Sequence, residues 1–251
     1  MKIALCATRF ARTSYDAIMC GRITLTSPIS DIVQMFDLLA AENVAPRYNI
    51  APTQNILAIR QDPPGRHAVY LKWGLVPSWA NDPGIGSRLI NARSESLAEK
   101  PAFRSAFRHH RCLIPADAFY EWQKQGDRKQ PFLIHRHDKK TMALAGLWEH
   151  WQSPDGSALE TCTIITTQAN ATLRPLHDRM PVILERHNWA AWLDPTSPAH
   201  MLQNLLQPAA DTLLTLYPVT PRVNNPALDD PSCIHPADPP APASDFLPGL
   251  S

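Results

Sequence analysis

The chain has 251 residues, of which 44% are hydrophobic and 19% charged, and its formal net charge is +1. That length suffices for one large domain or two small ones with a real core, and the composition is that of a globular, soluble protein. No apolar run approaches the roughly 18 residues of a membrane-spanning helix, and five scattered cysteines (6, 20, 112, 162 and 233) without a C-x-x-C argue against a disulfide framework or a structural zinc site and for a reducing cytoplasm.

In chain order, residues 1–19 hold a short apolar run before Arg9 and Arg12. It is too short for a secretory signal, although its Arg and Ser content carries a faint transit-peptide signature. Short runs rich in β-branched and aromatic residues, bounded by Gly, Pro, Asn or Asp, predict strands at 21–25, 55–60, 68–73, 111–114, 118–123, 131–135, 142–148, 161–167, 181–184 and 215–219. A helix is predicted in SPISDIVQMFDLL, with Ser27 as N-cap, Pro28 in the first helical position and Ile32, Val33, Met35, Phe36 and Leu39 as its apolar side. SESLAEKPAFRSAFR reads as a helix broken at Pro101. ERHNWAAWL and SPAHMLQNLL read as two later helices. Strands do not alternate regularly with helices, which disfavours a doubly wound parallel sheet. The expected fold is a single α+β domain of curved, mainly antiparallel β-sheets with peripheral helices. The Pro-, Asp- and Ala-rich segment 232–251 is expected to be disordered.

The near-zero charge hides an asymmetry. From Pro226 onward there is no Lys or Arg and there are four Asp, so the preceding residues hold all 24 basic side chains against 19 acidic ones. Within 88–111, Arg88, Arg93, Lys100, Arg104, Arg108 and Arg111 outnumber Glu95 and Glu99, with His109 and His110 adjacent. Such a cluster can seat phosphates, or be a solvated helix face. His135 and His137 form an H-x-H without a third ligand nearby, so no metal site and no cofactor are expected.

Four polar residues stand among apolar neighbours: Cys20 in MCGR, Asn91 in LINARSE, Glu121 in AFYEWQ and His177 in LHDRMP. Taken singly each has an ordinary reading, as a small buried hydrophobe, a helix cap, a strand residue on the wet face and a loop histidine. Together with RYNIAPTQ (47–54), KWGLVPSWA (72–80), INARSES (90–96), RCLIPADAFYEW (111–122), KQPFLIH (129–135), TTQAN (166–170), LHDRMPVIL (176–184) and YPVTPRVNN (217–225), they occur in the order of the SRAP family. The chain resembles these abasic-site processing proteins, or SOS-response-associated peptidases, from about residue 19 to 231.

The resemblance implies a catalytic domain over 20–231 that captures abasic sites in single-stranded DNA. A Cys exposed by Met removal attacks the sugar aldehyde through its α-amine, and its thiol closes a thiazolidine. Carried over, Cys20 is the nucleophile, Glu121 the acid/base, His177 the proton-transfer group, and Asn91 the group holding the sugar. Arg22 and Arg93 would contact phosphates, Trp79 would stack on a base and Pro52 would lie beside the lesion. Trp73 could join that stack or be a core aromatic. Where some relatives carry a second Trp, this chain has Ala80. The resemblance also implies a monomer acting in the bacterial cytoplasm near the nucleoid, away from membranes.

The residue types suit that chemistry. An α-amine with pKa about 7.7–8.0 is partly neutral at physiological pH, whereas a Lys amine is not. Two nucleophiles on one residue replace a second bimolecular step with ring closure. The amine must be free, however, and residues 1–19 would make it an amide. The reading is therefore an N-terminus at Cys20, reached because Met19 is the true start or by self-cleavage. A retained extension is the remaining alternative. Two other functions compete: a thiol hydrolase using Cys20, His177 and Glu121, and a passive single-strand binder in which Cys20 plays no part.

Overall fold

A computed structural model describes residues 20–43 and 45–237. The strands of the first half are β1 (Ile23–Leu25), β2 (Arg47–Ile50), β3 (Asn55–Asp62), β4 (Gly65–Trp73), β5 (Asn91–Arg93) and β6 (Arg111–Ala116). Those of the second half are β7 (Ala118–Gln125), β8 (Arg128–Arg136), β9 (Met142–Gln152), β10 (Ala158–Gln168), β11 (Arg179–Pro181) and β12 (Leu214–Pro218). They form two sheets in one α+β domain. One is antiparallel throughout, in the order β12-β8-β7-β1-β2.

The other sheet closes on itself. Neighbours run β10-β4-β3-β6-β9, and β9 pairs back onto β10, so no edge of this five-membered ring is left open. A ring with an odd number of strands cannot alternate direction all the way round. One neighbouring pair must be parallel, and here it is β4 with β10, through Lys72 opposite Thr161 and Trp73 opposite Cys162. Beyond that pair β10 leaves β4, and after Ile164 it leaves β9 as well. β5 takes one side, with Asn91 opposite Ile164 and Arg93 opposite Thr166. β11 takes the other, with Pro181 opposite Thr166 and Arg179 opposite Gln168.

Period-two alternation along β7 decides which side chains meet which layer. Phe119 enters the main core, and Glu121 lies on the same face. Ala118 and Tyr120 turn the other way and form a second cluster with Leu133, Val219, Val223 and Cys233, against which Trp122 packs. That second face is covered by the chain after β12. Asn49, fully buried on β2, donates from Nδ2 to the carbonyls of Asn225 (3.0 Å) and Leu228 (2.6 Å). Asp229 accepts from the main-chain N–H groups of Tyr48 (2.5 Å) and Asn49 (2.9 Å) and pairs with Arg47. The outer edge of β2 is thereby satisfied by side chain rather than by another strand.

Among the described residues, the helices are short and peripheral: α1 (Ile29–Phe36), α2 (Arg104–His109), α3 (Trp189–Leu193) and α4 (Ala199–Asn204). α1 buries Ile32 and Phe36 at i, i+4 spacing, and Phe36 stacks on Trp189 with ring centroids 4.5 Å apart. Its expected capping differs from the structure. Pro28 occupies the cap position without a side-chain cap, and the Ser27 hydroxyl instead donates to Asp117 Oδ1 at 2.8 Å. Asp117, between β6 and β7, also accepts from Thr26 N, Ser27 N and Thr141 Oγ1, and so fixes the approach to the helix.

All ten sequence-predicted strands are present, but the run 181–184 is strand only to Pro181, continuing as a lone bridge from Ile183 to Leu144. β2 and β5 were not anticipated. Trp73 is fully buried, its indole N–H donating to the Ile90 carbonyl, so the core reading holds and the stacking one does not. The expected tail begins too early at 232: Pro231–Ile234 is a 3-10 turn, Cys233 is buried, and Pro236 bridges to Val219. Residues 1–19 and 238–251, to which the extension and the rest of the tail were assigned, lie outside the described residues.

Candidate functional site

Cys20 lies at the head of β1, fully buried, with the unusual positive φ of 38°. Its main-chain nitrogen donates to Glu121 Oε1 at 2.7 Å, across 101 residues of sequence. The contact exists because β1 pairs with β7, Ile23 opposite Phe119, and continuing that register back past the start of β1 brings Cys20 up to Glu121, two residues after Phe119. Glu121 is only 2% exposed. Burial raises its carboxyl pKa to about 8, opposed by hydrogen bonds from the Cys20 and Trp122 N–H groups and aided by the negative charge of Asp178. Burial also pushes the Cys20 thiol up, and Glu121 pushes it further. A thiol so placed stays protonated until a base takes its proton. Glu121, poised near neutrality, is the base at hand.

His177 precedes β11 and is partly buried. Its Nδ1 lies 2.8 Å from Asp178 Oδ1 and accepts from the Arg179 main-chain N–H at 3.1 Å. Burial lowers the imidazole pKa, with Asp178 opposing and Arg179 assisting that shift. Arg179 turns inward and grips Glu95 as a two-pronged fork, Nη1 to Oε1 at 2.6 Å and Nη2 to Oε2 at 2.8 Å. Nη2 also donates to the Thr166 carbonyl on β10. Glu95 lies two residues beyond the end of β5. One ion pair therefore ties the strand bearing Asn91 and Arg93 to the strand that follows His177, across β10 between them.

Asn91 is half-buried on β5, with Nδ2 3.5 Å from the Ile164 carbonyl; it caps no helix. Arg93 is exposed two residues on. Trp79 is 58% exposed, its indole nitrogen 3.5 Å from the Pro101 carbonyl. Its loop folds tightly onto itself: a Cβ on Gly74, at φ +132°, would come within 2.6 Å of the Gly86 carbonyl oxygen. Ala80 points inward, buried with Val76 and Trp151. Pro52 sits in a turn held by Gln54, whose Oε1 accepts from Ala51 N (3.1 Å) and Arg47 Nη2 (2.7 Å).

Arg22 is placed differently from the other site residues. Its Nη1 donates to Asn49 Oδ1 (2.6 Å) and the Val223 carbonyl (2.7 Å), and its guanidinium lies 5.8 Å from the Trp122 ring centre. That is the sheet face away from Glu121. Arg111 also leaves the basic cluster. It is buried, donating to the carbonyls of Trp192, Phe107, Arg108 and Asp194, where it closes the ends of α2 and α3. Arg88, Arg93, Lys100, Arg104 and Arg108 remain exposed.

Among the described residues no group of three His, Cys, Asp or Glu side chains is arranged to hold a metal ion, and no helix is long and apolar enough to cross a membrane. The sequence reading passed over the Glu95–Arg179 fork and Asp178. Their signal was charge beside apolar strand positions in INARSES and LHDRMP.

The family model of the SOS response associated peptidases (SRAP) matches residues 19–226. The abasic site processing protein YoqW of Bacillus subtilis is 45% identical over 222 residues, covering 86% of this chain and 99% of that one. The abasic site processing protein HMCES of Xenopus tropicalis is 31% identical over 229 residues, covering 77% and 67%. A crystal structure of a Bacteroides thetaiotaomicron protein shares the fold with a TM-score of 0.80 at 23% identity, covering 87% of this chain and all of that one. One from Bordetella bronchiseptica has a TM-score of 0.69 at 27% identity, covering 80% of this chain and all of that one. The chain belongs to the SRAP family.

Proposed function

We propose that this protein processes abasic sites in single-stranded DNA by bonding to them covalently through Cys20 as its N-terminal residue. The observation that carries the reading is the 2.7 Å contact between the Cys20 nitrogen and a buried carboxyl held near pKa 8. With Met19 removed, that nitrogen becomes an α-amine, of ordinary pKa about 7.7–8.0, in direct contact with the carboxyl. Glu121 takes the ammonium proton, the free amine adds to the sugar aldehyde, and Glu121 returns that proton to the alkoxide so formed while His177 takes one from the added nitrogen. His177 then gives its proton to the departing hydroxyl, water leaves and a protonated imine forms. The thiol passes its proton to the again ionised Glu121 while sulfur adds to the imine carbon, leaving the ring nitrogen neutral with one hydrogen. The product is a five-membered ring of N, Cα, Cβ, Sγ and the former aldehyde carbon.

Asn91 holds the sugar. Pro52 lies beside the lesion, and Trp79 offers an open stacking face that tolerates any base. The resemblance assigns phosphates to both Arg22 and Arg93. Two hydrogen bonds of Arg22 already go inward, so Arg93 is the principal contact. The protein acts as a monomer in the cytoplasm. The thiol-peptidase alternative has less support, since among the described residues no hydrogen bond joins Cys20 Sγ to His177.

The test mixes protein beginning at Cys20 with abasic single-stranded DNA. An adduct of one protein per lesion that survives heat and SDS, absent in Cys20→Ala and in protein whose α-amine is blocked, supports the reading. A well-folded protein that yields no such adduct refutes it. An adduct from chains that retain Met19 refutes the amine chemistry.

A further inference from the structure

His177 has two polar neighbours competing for one atom. Asp178 Oδ1 is 2.8 Å from Nδ1, and the Arg179 main-chain N–H donates to the same nitrogen at 3.1 Å. The two have opposite polarity, because an ionised carboxylate only accepts and an amide N–H only donates. A single ring nitrogen cannot serve both at once. With a proton on Nδ1 it donates to Asp178; with a lone pair there it accepts from Arg179. Among the described residues Nε2 makes no hydrogen bond to protein. The neighbour engaged at Nδ1 therefore decides what Nε2 presents.

We infer that Asp178 is a positioning residue that, against the Arg179 N–H, selects the His177 tautomer able to carry protons in the cross-linking step. The inference rests on the reading proposed above. Proton bookkeeping shows why the choice matters. Neutral His177 with its proton on Nε2 can orient a hydroxyl, but giving that proton up would leave an imidazolate. Neutral His177 with its proton on Nδ1, held by Asp178, has a lone pair on Nε2. It takes a proton there to become imidazolium, and returns it to the departing hydroxyl to recover the same tautomer. Only the Asp178-bound form cycles.

The surroundings suit this role. The side chain of Asp178 is 84% exposed, so it is free to turn toward or away from the ring. The competing donor is main chain, fixed at the start of β11. The other charge facing the imidazole is the Arg179 guanidinium, itself bound to Glu95. The charge of Asp178 also reaches Glu121 and raises its pKa, as it raises that of His177. Removing that charge moves both groups the same way.

Nitrogen-15 NMR of the histidine-labelled full chain reads the tautomer without any DNA. In the unmodified chain above the imidazole pKa, Nδ1 is expected to carry the proton in a substantial population. In Asp178→Ala the signals shift to the Nε2–H form, and Asp178→Glu restores them. With protein beginning at Cys20, Asp178→Ala should slow adduct formation about ten-fold or more. Its pH–rate profile should slide to lower pH as a unit, which loss of packing alone would not do. Unchanged tautomer signals in Asp178→Ala, or a profile that superimposes in pH on the parent's, overturns the inference. If the parent forms no adduct yet the tautomer shift appears, the cross-linking reading falls while the selector stands.

Discussion

Replacing Glu121 by Gln should make the protein more stable and far less active. In the chain with an amide at Cys20, the folded carboxyl titrates near pH 8, chiefly because of burial, against about 4.5 for a free one. The folded state then holds a proton that the unfolded state releases across that window. Stability therefore falls as pH rises from about 4.5 to about 8. At about pH 7 the gap amounts to roughly 3 kcal/mol, since one pKa unit is worth about 1.4 kcal/mol. Glu121→Gln keeps an acceptor for the Cys20 N–H and removes the titration. Urea unfolding at about pH 5 and about pH 8 should show the variant gaining on the parent only at the higher pH. Protein beginning at Cys20 should show a smaller gain, because its ammonium offsets the buried carboxylate. Adduct formation in that protein should slow about 100-fold or more, the usual value of a positioned base, with DNA affinity little changed. A variant less stable at about pH 8, or a stability difference independent of pH, refutes the buried-carboxyl argument. Unchanged adduct rates return Glu121 to a structural role.

Trp79→Ala removes one exposed stacking face, and binding of undamaged single-stranded DNA by fluorescence anisotropy should weaken by about 1–3 kcal/mol. Arg93→Ala should lower affinity and reduce the salt dependence of binding by about 0.7 in slope; an unchanged slope removes Arg93 from the phosphate path. Glu95→Gln removes the charge pairing of Arg179, whose partner Glu95 is itself half-exposed, and should cost about 1 kcal/mol in chemical denaturation, while loosening the strand that carries Asn91. Cleaving the Met19–Cys20 bond abolishes the φ of Cys20, now 38°. Protein beginning at Cys20 should gain about 1 kcal/mol relative to protein retaining Met19, from relief of that backbone conformation, measurable by thermal unfolding.

The strands with β-branched and aromatic runs were legible because burial of alternate residues imposes that composition. β2 was not, because RYNI sits between prolines and buries an asparagine whose reason lies almost 180 residues away, in the carbonyls of Asn225 and Leu228. β5 is three residues long and too short to show a period. Ser27 before Pro28 had the look of a cap, but Asp117 outcompetes the helix end for its hydroxyl. Arg111 counted as surface charge until the fold gave it four carbonyls. In the site, motif order pointed to Cys20, Asn91, Glu121 and His177, but nothing local to Glu121 announces that a nitrogen 101 residues away will lie against it. Asp178 and the Glu95–Arg179 fork showed as charges beside apolar strand positions, but their roles were not legible for the same reason, since their meaning depends on which strands flank β10.

The odd-numbered ring has a consequence for how the molecule comes into being. Hairpins can build two of its antiparallel pairs locally, β3 with β4 and β9 with β10, but the one parallel seam joins Trp73 to Cys162, distant in sequence. Such a seam pays a loop-closure penalty before any contact rewards it and belongs to the slow, late part of folding. The far half of β10, on which Asn91 and the segment after His177 are hung, is aligned by that same seam. During synthesis the segment that carries Cys20 therefore waits for most of the chain before its proposed partners Asn91 and His177 are set, and the proposed site is completed last, together with the closed ring.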